Sequence, residues 1–348
     1  MDLGILFIGG DATVVQQTAI AKQAEESGFD SLYMAEAYRS AWVPLTAMAA
    51  ATSKVRLGPY IVNAYGHSPL MTGLSAVDFN EFSGGRLVLG VGGGNRQVNE
   101  QWHGIPHERV ITKMREYVTM LKMIARTRLG ERLEYQGKIH SIDWTPTPDP
   151  GDAAFPVYLA AVFPRMMRVA AQVADGVAGG ATLSAEYLRD EIKPQAAEDA
   201  AAVDRDPATL SWTVASLIAL DEDREHARRA AREAICSLYS PLPHPYYEFT
   251  MRAQGFGDVA DKLLKLMPAG KLEASVDAIP DECIDRLVIA GTLEECRERL
   301  AAYEGVVDEV LLANFTPSAD GNIISAYEPL MRLAQLVQNK KLSLRVID

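Results

Sequence analysis

Short apolar segments alternate with amphipathic stretches along most of the chain. The apolar segments end in glycine or in polar residues, which is typical of strands buried on both faces of a parallel sheet. In the stretches between them, apolar residues recur every three or four positions, which predicts helices packed on such a sheet. Eight strands are predicted in this way, at residues 3–8, 30–35, 55–62, 86–91, 157–161, 175–180, 210–220 and 306–313.

Predicted helices separate most of these strands. The clearest begins at Ser68 and Pro69, a capping hydroxyl followed by proline at the first helical position, and it stops at Gly84. Strands that alternate with helices in this order are the pattern of a TIM (β/α)8 barrel, which is the α/β fold class that we predict. The predicted helices cover residues 14–27, 44–52, 69–82, 109–128, 164–174, 185–203, 222–237, 292–303 and 324–339.

Two stretches interrupt the alternation. Residues 130–156 contain a hairpin-like pattern followed by a proline-rich linker, TPTPDPGDAAFP. Residues 240–284 carry no obvious barrel strand, but they have helical spacing around 259–266, and we interpret them as a helical insertion. We therefore expect one barrel domain over residues 1–348 with these two excursions.

Composition and charge narrow the class of protein. A hydrophobic content of 48% is ample for a large core, and the net charge of −12 argues against a nucleic-acid-binding surface. Three cysteines form no close pair along the chain, so neither a disulfide framework nor a zinc site is indicated. The N-terminus has neither a basic start nor a long apolar run, so we expect no signal peptide, no membrane span and a cytoplasmic location.

The ends of two predicted strands carry candidate chemistry. Asn63 follows the strand at 55–62, and the run 92–95 (GGGN) follows the next strand. The carboxyl ends of barrel strands are where such folds place their active sites. The same run lacks the last glycine of the dinucleotide fingerprint G-x-G-x-x-G, so we do not interpret it as a Rossmann site. Its glycines either allow a flat ring to approach the backbone or only form a tight turn.

Four segments carry a family resemblance: GPYIVNAYGHSP, the turn SGGR, LGVGGGN and VYLAAVFPRMMRVAAQVADGV. They resemble the bacterial-luciferase-like superfamily of flavin and deazaflavin oxidoreductases, and most of all its branch that uses coenzyme F420, the methylenetetrahydromethanopterin reductase-like proteins. The resemblance extends over nearly the whole chain. It implies a TIM barrel, hydride transfer between the deazaflavin and a small organic substrate, and a homodimer. An imine, an enone or a carbonyl compound would be such a substrate.

The resemblance also implies where the cofactor binds. It places the deazaflavin ring against a non-proline cis peptide bond between Tyr60 and Ile61, and the phosphate near Arg165, at a helix start, where free amides favour an anion. Arg165 is otherwise a surface arginine. Phe163 stands where relatives usually have glycine. The candidate cofactor-binding residues are Tyr60, Ile61, Asn63, Gly92, Gly93, Gly94, Asn99, Ala161, Val162, Phe163, Arg165, Gly179, Gly180 and Ala181.

Glu36 and Asn95 are the candidate catalytic residues. Many relatives have an Asp-His pair after the second strand, but this chain has Glu36 and then Ala37. Glu36 is a candidate acid or base if burial raises its pKa, or else a carboxylate that binds backbone amides near the ring. Asn95 would make a polar contact to the ring, and His67 follows the strand-three loop and could line the pocket.

Other functions are weakly indicated. His103 and His107 have a metal-pair spacing, but Gly104 and Pro106 lie between them and argue against a helix, so we expect no metal site. No G-x-S-x-G motif of a serine hydrolase occurs. Two alternatives to the deazaflavin enzyme stay open: an FMN-dependent monooxygenase of the same superfamily, and a barrel that binds a flavin without turnover.

Overall fold

A ring of parallel strands forms the centre of the molecule. The computed structural model describes residues 1–8, 12–146, 154–239, 245–316, 318 and 320–345, with the backbone alone from 340 to 345. The strands in these ranges are β1 (Asp2–Phe7), β2 (Ser31–Met34), β3 (Arg56–Pro59), β4 (Val62–Asn63), β5 (Leu89–Gly92), β6 (Leu133–Gln136), β7 (Ser141–Trp144), β8 (Val157–Ala160), β9 (Gly176–Gly179), β10 (Ser211–Leu220), β11 (Ile289–Gly291) and β12 (Glu309–Asn314).

The order of the strands confirms the TIM barrel. The strands lie around the sheet in the order β3-β2-β1-β12-β10-β9-β8-β5-β4, and each neighbouring pair in this order is parallel. A parallel bridge between Leu57 of β3 and Leu87, two residues before β5, closes the ring. The short strand β11 pairs with β10 and is not among the eight strands that the sequence predicts.

The third barrel position (stave), predicted as a single strand, is split into two short strands, β3 and β4. The sequence predicts one strand over 55–62, but β3 pairs with β2 on one side and β4 pairs with β5 on the other. The chain changes neighbours between them, at Tyr60 and Ile61, whose peptide bond is cis as the resemblance implies. The Tyr60 hydroxyl donates to the carbonyl oxygens of Gly179 (2.7 Å) and Thr213 (3.0 Å), which anchors this step to the opposite wall.

Helices surround the barrel and begin at the predicted signals. Ser68 accepts a hydrogen bond from the amide of Met71 at the start of α3, and Thr292 forms a capping box with Glu295 at the start of α13. The α-helices are α1 (Val14–Ser27), α2 (Trp42–Ala51), α3 (Pro69–Ser83), α4 (Val110–Ile124), α5 (Pro164–Val173), α6 (Ala185–Tyr187), α7 (Lys193–Ala201), α8 (Arg224–Ser237), α9 (Pro245–Ala253), α10 (Gly257–Leu266), α11 (Leu272–Asp277), α12 (Asp281–Leu287), α13 (Leu293–Ala301) and α14 (Glu328–Arg345).

Structure is also present in the two interrupting stretches. Strands β6 and β7 form an antiparallel hairpin within 130–156, and the helices α9–α12 lie between β10 and β11. Parts of three predicted features lie outside the described residues: the turn at 9–11, the linker at 147–153 and the first residues of the insertion at 240–244. None of the helices in the described ranges combines the length and the apolar character needed to cross a lipid bilayer.

Alternate residues of the strands face two different cores. In β1, Ile5 and Phe7 belong to the cluster between the sheet and its surrounding helices, whereas Leu6 belongs to a second cluster with Tyr33 and Leu311. This second cluster also contains residues of α8–α12. Because successive side chains of a strand point to opposite faces, both faces of the sheet are covered.

A buried carboxylate ties the amino-terminal ends of several staves together. Glu309, at the start of β12, accepts hydrogen bonds from Ser31 (2.5 Å), Tyr33 (3.2 Å) and Thr213 (3.0 Å) and forms an ion pair with Arg56 (2.7 Å). Arg56 also pairs with Asp2 (2.9 Å). A charge removed from water is tolerated only when it is paired and hydrogen-bonded, and the contacts from β2, β3 and β10 meet this requirement.

The Arg56→Met variant tests this network. It leaves the Glu309 carboxylate buried without its cation, and because Arg56 is itself partly exposed we expect a loss of roughly 2–3 kcal/mol in the free energy of unfolding. The measurement is urea unfolding followed by circular dichroism. The control is Arg132→Met, which breaks an exposed pair with Asp143 and should leave the unfolding midpoint nearly unchanged. Equal midpoints for the two variants would contradict the prediction.

Candidate functional site

The predicted site residues lie at or just after the carboxyl ends of the strands. Because the barrel strands are parallel, these ends meet at one rim of the ring. Glu36 follows β2, Asn63 ends β4, Gly92 ends β5, Ala161 follows β8 and Gly179 ends β9. The structure thus brings together on one rim the candidates that the sequence places far apart.

A pair of asparagines holds the glycine loop after β5. The side-chain amide of Asn63 donates to the Oδ1 atom of Asn99 (2.6 Å), and the amide of Asn99 donates to the carbonyl oxygen of Gly93 (2.7 Å). Asn99 is 0% exposed, so in this conformation it presents no surface to a ligand. The interpretation of Asn99 as a direct contact to the ring is therefore corrected, because both ends of its carboxamide support the loop.

Asn99 lies in a segment that the sequence predicts as a loop. Residues Val98–Trp102 instead form a short π-helical turn. The backbone amide of Asn99 donates to the backbone carbonyl oxygen of Asn95 (2.9 Å). This turn points the Asn99 side chain back toward the glycines. Asn95 is also buried, and its carboxamide oxygen accepts the amide proton of Gln97 (2.9 Å).

The glycine loop itself is tightly packed. A Cβ atom at Gly92 would lie 2.9 Å from the Ile61 side chain and from the Cβ atom of Ala160, so a larger residue would displace this floor of the rim. Gly94 has φ of +62°, a conformation that favours glycine. Its carbonyl oxygen accepts a hydrogen bond from the Tyr246 hydroxyl of α9 (2.5 Å). The loop is therefore held both by the asparagine pair and by a tyrosine.

Glu36 and His67 form a hydrogen-bonded pair at the rim. His67 Nε2 lies 3.1 Å from both carboxylate oxygens of Glu36, and one of these oxygens accepts the backbone amide proton of Asn63 (2.9 Å). The hydrogen bond to Glu36 raises the pKa of His67 above its ordinary value. The backbone contact agrees with the structural alternative that the sequence left open for Glu36, and His67 as its partner was not foreseen.

Phe163 connects the rim to α9. Its ring packs against those of Tyr246 (5.3 Å between centroids) and Phe249 (4.9 Å). Where relatives usually have glycine, this chain therefore has an aromatic contact between the loop after β8 and the helices that follow β10. Sequence reasoning missed Tyr246 and Phe249, because no spacing signal distinguishes them from ordinary aromatic residues of an amphipathic helix.

The start of α5 is open toward the solvent. Phe163 occupies the N-cap position without a side-chain capping bond, Pro164 is the first helical residue, and Arg165 is exposed in the first turn. Pro164 has no amide proton and the Met166 amide donates to the Phe163 carbonyl oxygen (2.9 Å), so the backbone amide and guanidinium of Arg165, with the helix dipole, are what this helix start offers an anionic group. The loop after β9, with Gly179, Gly180 and Ala181, has only small side chains.

The candidate metal pair is not brought together as a site. His107 is buried, and its Nε2 atom lies 3.2 Å from the carbonyl oxygen of Gly93, while His103 is exposed. Burial lowers the pKa of His107, so its ring supports the loop as a neutral group. Within the residues that the structure describes, no three His, Cys, Asp or Glu side chains converge as metal ligands.

Comparisons with known proteins agree with this architecture. Over 304 residues the chain is 30% identical to a 5,10-methylenetetrahydromethanopterin reductase of Archaeoglobus fulgidus, covering 86% of this chain and 89% of that protein. The fold is similar to that of the coenzyme F420 dependent tetrahydromethanopterin reductase of Methanopyrus kandleri, with a TM-score of 0.79, 21% identity and coverage of 94% and 96% of the two chains.

A second solved structure has the same fold. An F420-dependent secondary alcohol dehydrogenase in complex with an F420-acetone adduct gives a TM-score of 0.74 at 17% identity, with coverage of 96% of this chain and 98% of that one. Residues 7–309 match the family described as luciferase-like monooxygenase, which is most of the chain. With its parallel barrel and its glycine-lined rim, the chain belongs to the luciferase-like monooxygenase family.

Proposed function

We propose that this chain is a coenzyme F420-dependent oxidoreductase that transfers hydride between the deazaflavin and a small organic substrate. The observation that carries the proposal is the similarity to the Archaeoglobus fulgidus reductase over 86% of the chain. The substrate class in this proposal is an imine, an enone or a carbonyl compound, since each has an electrophilic carbon that accepts hydride. The fold alone does not carry it, because one barrel hosts many chemistries.

The residues of the rim fit a flat, anionic cofactor. Ile61 packs so closely on Gly92 that a methyl group at position 92 would not fit between them. The two residues therefore form a flat apolar surface. Val162, Gly180 and Ala181 are half-buried and extend this surface. Arg165, with its guanidinium and backbone amide, and the dipole of α5 would supply the positive charge that a phosphate requires.

Each residue has a part in this proposal. The apolar floor at Ile61 and Gly92 would support the ring, and Arg165 would hold the phosphate. Asn95 would make a polar contact to the ring, because among the described residues its NH₂ group donates no hydrogen bond. Glu36 would donate a proton to the substrate or accept one from it. When bound, the deazaflavin supplies the hydride, while the protein supplies orientation and electrostatics.

An FMN-dependent monooxygenase is the alternative that the family description favours. Its flavin would have to form an oxygen adduct, which the deazaflavin forms poorly because carbon replaces a ring nitrogen. A barrel that binds a flavin without turnover is the third possibility. Cofactor preference separates the first two, and oxidation of the reduced cofactor by a substrate separates both from the third.

The proposal includes a homodimer. Val43 of α2 and Met71 and Phe82 of α3 are 65%, 57% and 57% exposed. Met71 and Phe82 are eleven residues apart, which places them within about 20° of each other around the helix. Trp42 packs against Phe79 (5.8 Å), so α2 and α3 are adjacent and their apolar residues suit a shared interface.

The proposal also places the protein in the cytoplasm. Cys236, Cys283 and Cys296 are buried and unpaired. Burial raises the pKa of these thiols, to about 11 for Cys236 and about 12 for the other two, so they stay protonated and unreactive. Such cysteines are typical of reducing compartments.

Cofactor titration tests the proposed chemistry. Cofactor-free protein is titrated with coenzyme F420 and separately with FMN, and binding is followed by the fluorescence of the ring. We expect coenzyme F420 to bind at least tenfold more tightly than FMN, a difference of about 1.4 kcal/mol. The reverse preference would favour the monooxygenase, and binding of neither would contradict a flavin enzyme altogether.

The Arg165→Ala variant tests the phosphate anchor. Loss of one charge-assisted hydrogen bond should weaken coenzyme F420 binding about tenfold, whereas a truncated deazaflavin without phosphate should bind both proteins equally. Arg168→Ala is the matched control, because Arg168 lies one turn later on α5 and pairs with Asp199 (2.8 Å). An unchanged affinity of Arg165→Ala for coenzyme F420 would remove Arg165 from the site.

The Phe82→Glu variant tests the dimer. A charge buried in an apolar interface is unfavourable, so sedimentation should shift from twice the chain mass to the single-chain mass of 38.0 kDa. Leu272→Glu is the control, since Leu272 is comparably exposed on the distant helix α11 and should leave the dimer intact. A wild-type protein that sediments as a monomer contradicts the dimer directly.

A further inference from the structure

The pair of Glu36 and His67 joins two separate loops at the rim. Glu36 follows β2, whereas His67 precedes the first turn of α3, whose N-cap is Ser68. The two meet through His67 Nε2, at 3.1 Å from each carboxylate oxygen.

Exposure is graded across the pair. The side chain of His67 is 37% exposed, and that of Glu36 is 13% exposed. His67 Nδ1 makes no hydrogen bond to the described residues, so water reaches the ring on that side. The carboxylate is held from the interior by the Asn63 amide (2.9 Å) at the end of β4, next to the glycine loop. The pair therefore connects solvent to the interior of the rim.

We propose that His67 is a positioning residue for proton transfer, which orients the Glu36 carboxylate and exchanges a proton with it during the reaction. This inference rests on the proposed oxidoreductase function, and it adds a proton path to it. In the direction of reduction, the His67 imidazolium gives a proton to Glu36, which delivers it to the substrate. In the direction of oxidation, the same pair removes a proton from the substrate toward solvent.

The proton and electron balance is complete with this pair. Reduction of a C=O or C=N group requires one hydride, which carries two electrons from the reduced deazaflavin to the carbon, and one proton at the heteroatom. A C–H bond forms, the π bond opens, and the heteroatom forms an O–H or N–H bond with the proton from Glu36. That proton comes from the His67 imidazolium, which gives its Nε2 proton to the Glu36 carboxylate as the carboxylate passes a proton to the heteroatom, and water reprotonates the imidazole afterwards.

The surroundings of His67 set the direction of its pH response. Among the described residues, Glu36 is the charged group that faces the ring, and the neutral hydroxyl of Tyr117 donates to the His67 carbonyl oxygen (3.2 Å). The hydrogen bond to Glu36 raises the pKa of His67, so the imidazolium persists to higher pH than usual and is lost as pH rises through that value. Reduction should accordingly slow on the alkaline side.

The first experiment uses cofactor-free protein and needs no substrate. Histidine ring signals of nitrogen-15-labelled protein are followed by nuclear magnetic resonance between pH 5 and 9. We expect His67 to titrate above about 6.5, the ordinary value, and to return toward it in Glu36→Gln. His226, near the start of α8, pairs with Asp221 (2.8 Å) and not with Glu36, so it serves as the internal control and its ring signals should be the same in the wild type and in Glu36→Gln.

The second experiment measures the pH dependence of turnover. Reduced coenzyme F420 is mixed separately with acetone, cyclohex-2-en-1-one and 1-pyrroline to find a compound that the wild type reduces. Oxidation of the coenzyme by that compound is then followed in every variant. We expect kcat of His67→Gln at pH 7 to fall about ten- to hundredfold with the alkaline limb abolished, while KM and cofactor affinity stay within about twofold. Added imidazole should restore part of kcat in His67→Ala, and His226→Gln should match the wild type.

The outcomes separate this inference from the proposed function. A wild type that binds coenzyme F420 but oxidises it with none of the probes contradicts the proposed function and the proton path together. A wild type that turns over, with His67→Gln retaining the same pH profile, overturns only the proton path. Loss of kcat in His67→Ala that imidazole does not rescue, accompanied by lower thermal stability, would reduce the pair to a structural contact. A His67 pKa that is unchanged in Glu36→Gln would likewise overturn the inference.

Discussion

Closure of the parallel strand ladder is the constraint on which the rest of the molecule depends. Each stave is hydrogen-bonded to a neighbour on both sides, and the pairing of Leu57 with Leu87 completes the ring between the third and fourth staves. In a closed ring no edge is left for uncontrolled pairing. Because the strands of this closed ring are parallel, all their carboxyl ends lie on one rim, and loops distant in sequence become neighbours there.

Buried polar groups then adapt the two ends of the barrel to different tasks. At the amino-terminal end, Glu309 collects three hydroxyl donors and a guanidinium, and this satisfied network links the staves. At the carboxyl-terminal end, Asn99 and Tyr246 donate to carbonyl oxygens of the glycine loop. The first network fixes strands relative to one another, whereas the second fixes a loop whose own residues have no side chains with which to hold themselves.

The helices between β10 and β11 take part in the same rim. Tyr246 reaches the loop after β5, and Phe163, after β8, packs on Tyr246 and Phe249. Two loops of the proposed cofactor site are thus contacted by one helix, α9. A change in the position of α9 would therefore alter the glycine loop and the approach to α5 together.

The sequence by itself determined the fold class and most of the element positions. Apolar segments with helical spacing between them specify buried strands and their covering helices, and Ser68, Gly84 and Thr292 mark helix ends through local chemistry. The motif after β3 also led to the prediction of the cis peptide bond between Tyr60 and Ile61, which the structure contains. These features depend on residues close together along the chain, which is why a single sequence reveals them.

Tertiary structure alone decided which side chains face the site. Asn99 looked like a ligand contact, but a π-helical turn buries it under Gly93. Glu36 looked alone beside Ala37, but closure of the barrel brings His67 to its carboxylate. The split of the third stave and the short strand β11 depend on which neighbour each segment meets. Such pairings join residues that are tens or hundreds of positions apart along the chain. A local sequence pattern does not reveal them, because these residues become neighbours only when the whole barrel has folded.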